Sequence, residues 1–182
     1  VYGGSTYPLK ESSQVQADTN LGFYLNTKIS GEMLLKNYLN KFMSIIIIRP
    51  FFIYGLGQKK DRLFPQLISN IKNNKEINID GKDGIKLNPI YATDAAKALA
   101  NILNVKNIFT INIAGDLTLT LRELLFMIGD ELGKKPIIKN NKYTKNGLVA
   151  DTKLMREKLF IPKVDLKTGI NKMLNKFIND KY

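Results

Sequence analysis

The sequence predicts an α/β fold built on a parallel sheet, and three observations carry that prediction. Ser44-Ile45-Ile46-Ile47-Ile48 is an unbroken apolar, mostly β-branched run closed by Arg49-Pro50, the pattern of a strand covered on both faces. Ahead of it, Leu34, Leu35, Tyr38, Leu39 and Phe42 recur at helical spacing behind Tyr24-Leu25-Asn26-Thr27-Lys28. Further upstream, Val1-Tyr2-Gly3-Gly4 reads as a strand end turning out through glycines, so strand, loop, helix and strand follow in the order of a βαβ unit.

The remaining elements follow from local chemistry. Tyr2 to Asn20 is polar and broken by glycine and proline, which predicts a loop; Thr19 or Asn20 is placed to cap the helix carrying Tyr24, and Gly31 to admit a close backbone on that face. Leu63, Phe64, Leu67, Ile68 and Ile71 predict a helix, and Glu76 to Ile79 an exposed strand ending in an Asp80-Gly81 turn. Thr93 or Asp94 is expected to start a helix reaching about Leu103. Phe109 to Ile113 reads as a strand. Thr118 or Thr120 precedes a helix from Leu121 to Leu132 that Gly133 closes. Pro136 to Lys139 is expected to be a short strand, Asp151 a helix cap, and Leu166 to Ile178 an amphipathic helix.

Composition narrows the chemistry. With 182 residues, 44% of them hydrophobic, the chain can bury a substantial core in one or two domains. Neither cysteine nor histidine occurs, so disulfides and thiolate or imidazole metal ligands are excluded and no metal site is expected. Tyr, Lys, Asp and Glu must carry any acid–base work. The net charge of +12 is spread over scattered lysines, with Arg49, Arg62, Arg122 and Arg156 as the only arginines, and this argues for solvated lysines rather than a nucleic-acid surface. No apolar run reaches membrane-spanning length, and a cytoplasmic protein is the expectation.

On a helix, Tyr24 and Lys28 lie one above the other, four residues apart. A nearby cation favours the phenolate, which turns an inert hydroxyl into a usable general acid or base. Such a pair arises readily by chance among eight tyrosines in a lysine-rich chain, so its setting matters. Glu32, one turn beyond, is either a partner for Lys28 or solvated.

That setting resembles the later part of an extended short-chain dehydrogenase/reductase of the NAD-dependent epimerase/dehydratase family. The resemblance rests on Val1-Tyr2-Gly3, Pro8 to Glu11, Tyr24 to Lys28, Glu32, Arg49-Pro50, Tyr54-Gly55, Asp80-Gly81, Pro89-Ile90-Tyr91, Asp94-Ala95, Asn112-Ile113 and Asp151, in family order through most of the chain. It implies the later part of a Rossmann-type parallel sheet (1–57 and about 88–107) with a smaller α/β substrate-binding domain (about 58–87 and 108–182). It further implies Tyr24 and Lys28 as catalytic residues, with Tyr24, Lys28, Pro50 and Phe51 beside an NAD or NADP cofactor. Tyr2, Gly3, Tyr54 and Lys86 would meet a small-molecule substrate, possibly a nucleotide-sugar, in a homodimer packed through the Tyr24 helix. Two positions depart from the pattern: Phe52-Ile53 replaces the common Asn before Tyr-Gly, and Leu87-Asn88 stands where many nucleotide-sugar members place an arginine, leaving Lys86 as a point charge.

The glycine-rich turn that holds a dinucleotide pyrophosphate is absent from the sequence. The expectation is therefore a fragment whose first βα units lie upstream, inactive by itself. Two other readings stay open: a reductase of a non-nucleotide carbonyl substrate, and a non-catalytic binding or interaction module.

Overall fold

A computed structural model of the chain describes residues 2, 5–15, 22–106, 108–143 and 146–179. The order of elements is α1 (Gly22–Lys36), β1 (Ile45–Pro50), β2 (Ile53–Tyr54), α2 (Leu63–Lys72), β3 (Glu76–Asp80), β4 (Lys86–Leu87) and β5 (Ile90–Tyr91). It continues through α3 (Ala92–Ile102), β6 (Ile108–Ile113), β7 (Leu119–Thr120), α4 (Leu121–Leu132), β8 (Ile137–Asn141), α5 (Lys153–Lys158) and α6 (Leu166–Asn179). The fold is α/β: β1 pairs with β6, β2 with β5 and β3 with β8, all in parallel, while the short β4 pairs with β7 antiparallel.

Local signals explain most of these elements. Thr120 and Glu123 form a capping box, in which each side chain takes a backbone N–H from the other's end of the first turn, and Gly133 ends α4 in the left-handed conformation at φ 63°. Ile77 and Ile79 alternate inward on β3. Asp151 Oδ1 accepts the N–H of Lys153 at the start of α5.

Three expectations change. α1 ends at Lys36, short of the full apolar run to Phe42, and a single 3-10 turn spans Leu39–Lys41. α3 starts at Ala92 with no side-chain cap; Asp94 is fully buried, and its Oδ2 accepts the backbone N–H groups of Lys163 and Val164, both at 2.7 Å. A carboxylate this deep is stabilised by those two donors, which pin the segment before α6 onto α3. Space is open where a Cβ on Gly31 would stand, so no backbone approaches there. The candidate caps Thr19 and Asn20 lie outside the described residues.

Two packing layers result. Tyr54, Phe64, Ile68, Leu87, Leu124, Ile128 and Ile170 belong to the largest apolar cluster, between α2, α4, α6 and the β3/β8 and β4/β7 pairs. Ile90, Ala98, Ile111, Ile113 and Met155 form a second cluster where β6 meets α3 and α5. β6 lies along β1 in parallel register, from Ile45 opposite Ile108 to Pro50 opposite Ile113. β1 is less covered than its isoleucines predicted: Ile45 to Ile47 are half-buried and Ile48 exposed, since among the described residues β6 is its one paired neighbour. No helix among those residues is long and apolar enough to cross a membrane.

Candidate functional site

α1 presents its candidate pair to solvent. Tyr24 is 68% exposed, and the Lys28 Nζ stands 5.4 Å from the Tyr24 ring centroid, as the four-residue spacing requires. The Thr27 hydroxyl donates to the Tyr24 carbonyl at 2.7 Å. One turn on, Glu32 turns away from Lys28 to the sheet. Its Oε1 accepts from Arg49 Nε at 2.9 Å and its Oε2 from Arg49 Nη2 at 2.6 Å, with the side chains of Arg49 and Glu32 only 8% and 12% exposed. The choice between a Lys28 partner and a solvated Glu32 is thus replaced by a third answer: a charge-assisted fork to β1.

Arg49 is the centre of a larger network. Its Nη1 donates to the Tyr2 hydroxyl at 2.6 Å and to the Glu11 carbonyl at 3.1 Å, and its guanidinium lies 4.7 Å over the Tyr2 ring. The Tyr2 hydroxyl reaches Asn112 Oδ1 at 3.0 Å, while Asn112 donates its N–H to Glu11 Oε1 and its Nδ2 to the Leu9 carbonyl. Burial pushes the Tyr2 phenol above its ordinary pKa, against the downward pull of Arg49, so it stays a neutral hydroxyl within the network. Burial also opposes the Arg49 charge, but hydrogen bonds and charge from Glu32 and Tyr2 outweigh it.

Several of the expected site residues lie deep in the packing of this chain. Tyr2 is buried and spends its hydroxyl on Arg49 and Asn112, not on a free surface. Phe51 is 3% exposed with its ring against Tyr2, and its neighbour Pro50, at the end of β1, is exposed. Tyr54 is 1% exposed, stacked on Phe64 at 4.1 Å and edge-on to Tyr91. Gly169 on α6 passes so near the Tyr54 hydroxyl that a Cβ there would overlap it. Lys86 remains exposed on β4. Gly3 lies outside the described residues.

Arg49, Glu32 and Asn112 escaped the sequence reading as one hydrogen-bonded network. The available signal was an arginine at the end of an isoleucine strand, since a cation that deep requires a carboxylate. Nothing local pointed to which carboxylate.

Phe52, at φ 40°, is one of two non-glycine residues with positive φ among the described residues. The residue before it bonds to β6 through Phe51 N–H to Ile113 O, and its own carbonyl accepts Ile90 N–H on β5. Changing strand partners within one residue accounts for the strained backbone.

A dinucleotide presents ribose hydroxyls and a pyrophosphate. The exposed hydroxyl and ammonium of Tyr24 and Lys28 form a donor and acceptor set suited to a ribose diol, and these residues fit that part of the group. The pyrophosphate cradle has no counterpart, because the sequence lacks a glycine-rich turn.

The sequence model of the NAD dependent epimerase/dehydratase family matches residues 1–114. An uncharacterized UDP-glucose epimerase of Bacillus subtilis is 28% identical over 138 residues, covering 74% of this chain and 43% of the relative. Human dTDP-D-glucose 4,6-dehydratase is 29% identical over 104 residues, covering 57% of this chain and 29% of that protein. Among solved structures, UDP-glucuronic acid 4-epimerase from Bacillus cereus in complex with NAD superposes with a TM-score of 0.82 at 25% identity, over 100% of this chain and 57% of its own. The chain thus spans less than half the length of these curated relatives.

Proposed function

Because the chain belongs to the NAD-dependent epimerase/dehydratase family, we propose that it is the later part of an NAD(P)-dependent enzyme acting on a nucleotide-sugar. The observation that carries this reading is the exposed Tyr24 and Lys28 pair on α1, with Lys28 Nζ 5.4 Å from the phenol ring. The relatives named above, epimerases and a dehydratase of sugar nucleotides, support the substrate class. In this reading Tyr24 takes the hydroxyl proton from the sugar carbon that is oxidised, because loss of hydride yields a carbonyl only if that proton leaves too. Lys28 steadies the negative charge that develops on the Tyr24 oxygen and donates to ribose hydroxyls. NAD(P), when bound, supplies the hydride acceptor. Pro50 borders the same end of β1, and Lys86 offers an exposed charge to a diphosphate. Residues upstream would hold the pyrophosphate.

Two measurements test the reading. In the full-length protein supplied with NAD and UDP-glucose, Tyr24→Phe keeps the ring but removes the proton carrier. Turnover should fall about 10²–10⁴-fold with NAD affinity little changed, whereas Lys28→Met should damage both. Near-parental turnover in Tyr24→Phe would make the residue structural. The 182-residue chain alone should bind NAD more weakly than micromolar in titration calorimetry, since it lacks the amide cradle. Micromolar binding would contradict the proposal that the cofactor-binding part lies elsewhere.

A further inference from the structure

We infer that the Glu32–Arg49 pair is the positioning element that sets how the Tyr24 and Lys28 helix is turned against the sheet. The inference rests on the roles just proposed for those two residues. α1 has 15 residues, of which Ile29 is the one buried. Within this chain the apolar contact of α1 is small and non-directional, so it sets the rotation of the helix less than a directional contact does. The fork between Glu32 and Arg49 is directional. Two parallel N–H···O bonds of 2.9 and 2.6 Å hold both the distance and the plane of the carboxylate. Glu32 follows Lys28 by four residues, so fixing its side chain fixes the adjoining turn that carries the reactive pair.

Arg49 can serve as a reference because it is immobilised from its other side. Its third contacts, to the Tyr2 hydroxyl and the Glu11 carbonyl, tie it to the segment before α1, and Tyr2 and Glu11 both bond Asn112 on β6. The clamp therefore joins α1, β1, β6 and the 2–11 segment at one point. Energetics favour orientation over stability as its purpose. Taking both charges out of water offsets much of their attraction, so an apolar pair of similar volume would serve stability as well or better. A lysine at 49 would keep the charge and lose the planar fork.

The test uses the full-length protein with NAD and UDP-glucose, measuring kcat and KM per NAD-binding site, thermal melting, and hydrogen exchange of the α1 amides. Arg49→Lys and the double variant Glu32→Leu with Arg49→Met are compared with the parent and with Tyr24→Phe. The expected result in both clamp variants is kcat lowered about tenfold or more, KM for UDP-glucose within about threefold, and exchange across 22–36 faster by about tenfold, with a retained cooperative melt. A purely structural pair would lower the melting temperature or the active fraction and leave kcat per site unchanged. A folded clamp variant with kcat and α1 exchange within twofold of the parent overturns the inference; if the double variant does not fold, Arg49→Lys decides. Parental turnover in Tyr24→Phe removes the assignment on which the inference rests, whereas loss there beside an unaffected Arg49→Lys overturns the clamp alone.

Discussion

The two sides of the molecule are held by different forces. On the side of α2, α4 and α6, Phe64, Ile68, Leu124, Leu125, Ile128 and Ile170 are all at or below 1% exposure, and the helices seat on one another through dry apolar contact. On the side of α1 and β1, the helix buries only Ile29 and leans on a buried ionic fork, while Phe23 at 87%, Met33 at 60% and Leu34 at 63% exposure face outward. The difference teaches what a reactive pair requires. On the roles proposed for Tyr24 and Lys28 the pair has to stay open to a ligand, so that face of the helix is not buried, and within this chain a directional polar contact takes over where apolar area is missing.

Truncating one isoleucine on each side gives the largest test of this contrast. Ile128→Ala should cost about 2–5 kcal/mol, since the cavity is walled by α2 and α6 and cannot collapse. Ile29→Ala removes the same atoms from a helix open on its other faces and should cost roughly half as much, because the site can relax. Urea unfolding of both variants checks it, and equal losses would break the comparison.

A smaller effect is expected at the start of α4. Thr120→Ala deletes the capping box and should cost about 0.5–2 kcal/mol. Hydrogen bonds from the Thr120 backbone and hydroxyl, aided by the charge of Lys86, hold the Glu123 carboxyl below its usual pKa. Stability from that carboxylate is present above the unfolded-chain value near 4.3 and is lost as pH falls through the lowered folded value. Thermal melts between pH 7 and pH 2 should therefore show a flatter acid limb in Thr120→Ala, and an unchanged limb would remove the cap from the account.

The smallest effect should come from Tyr54→Phe. The hydroxyl makes one long contact, 3.5 Å to the Leu166 carbonyl, so its loss at neutral pH should cost less than about 1 kcal/mol. Burial first, then the neighbouring Tyr91, Asp165 and Asp94, push the phenol well above its ordinary pKa. A raised pKa means that its contribution is complete below the unfolded value near 10 and declines as pH climbs beyond it. Urea midpoints at pH 7 and pH 11 should converge in Tyr54→Phe relative to the parent. A large loss already at pH 7 would show that the hydroxyl, and not only the ring, holds the core together.

Reading the chain alone recovered the elements whose causes are local. α4 runs from Leu121 to Leu132 with Thr120 and Gly133 as its ends, and β3, β6, β8 and α6 lie close to where periodicity put them. The Tyr24 and Lys28 pair was legible for the same reason, because a four-residue spacing on a helix dictates its own geometry. The depth at which Tyr2, Phe51 and Tyr54 are buried was not. Tyr2, Phe51 and Tyr54 are aromatic side chains beside glycines or prolines, a pattern that suits a ligand wall and a core equally well.

Composition, the order of the main strands and helices, both ends of α4 and the stacking of Lys28 on Tyr24 were determined by the sequence itself, since each depends on residues within a turn or two of one another. Tertiary structure alone decided that Tyr54 is covered by Phe64 and α6, that the Tyr2 hydroxyl meets Asn112 across 110 positions, and that Glu32 turns to Arg49 rather than Lys28. The physical reason is that burial and ion pairing are properties of who is near in space. A carboxylate on a helix with two cations in reach goes to the one whose fork and desolvated setting reward it most, and only the packing of β1 under α1 brings that cation close.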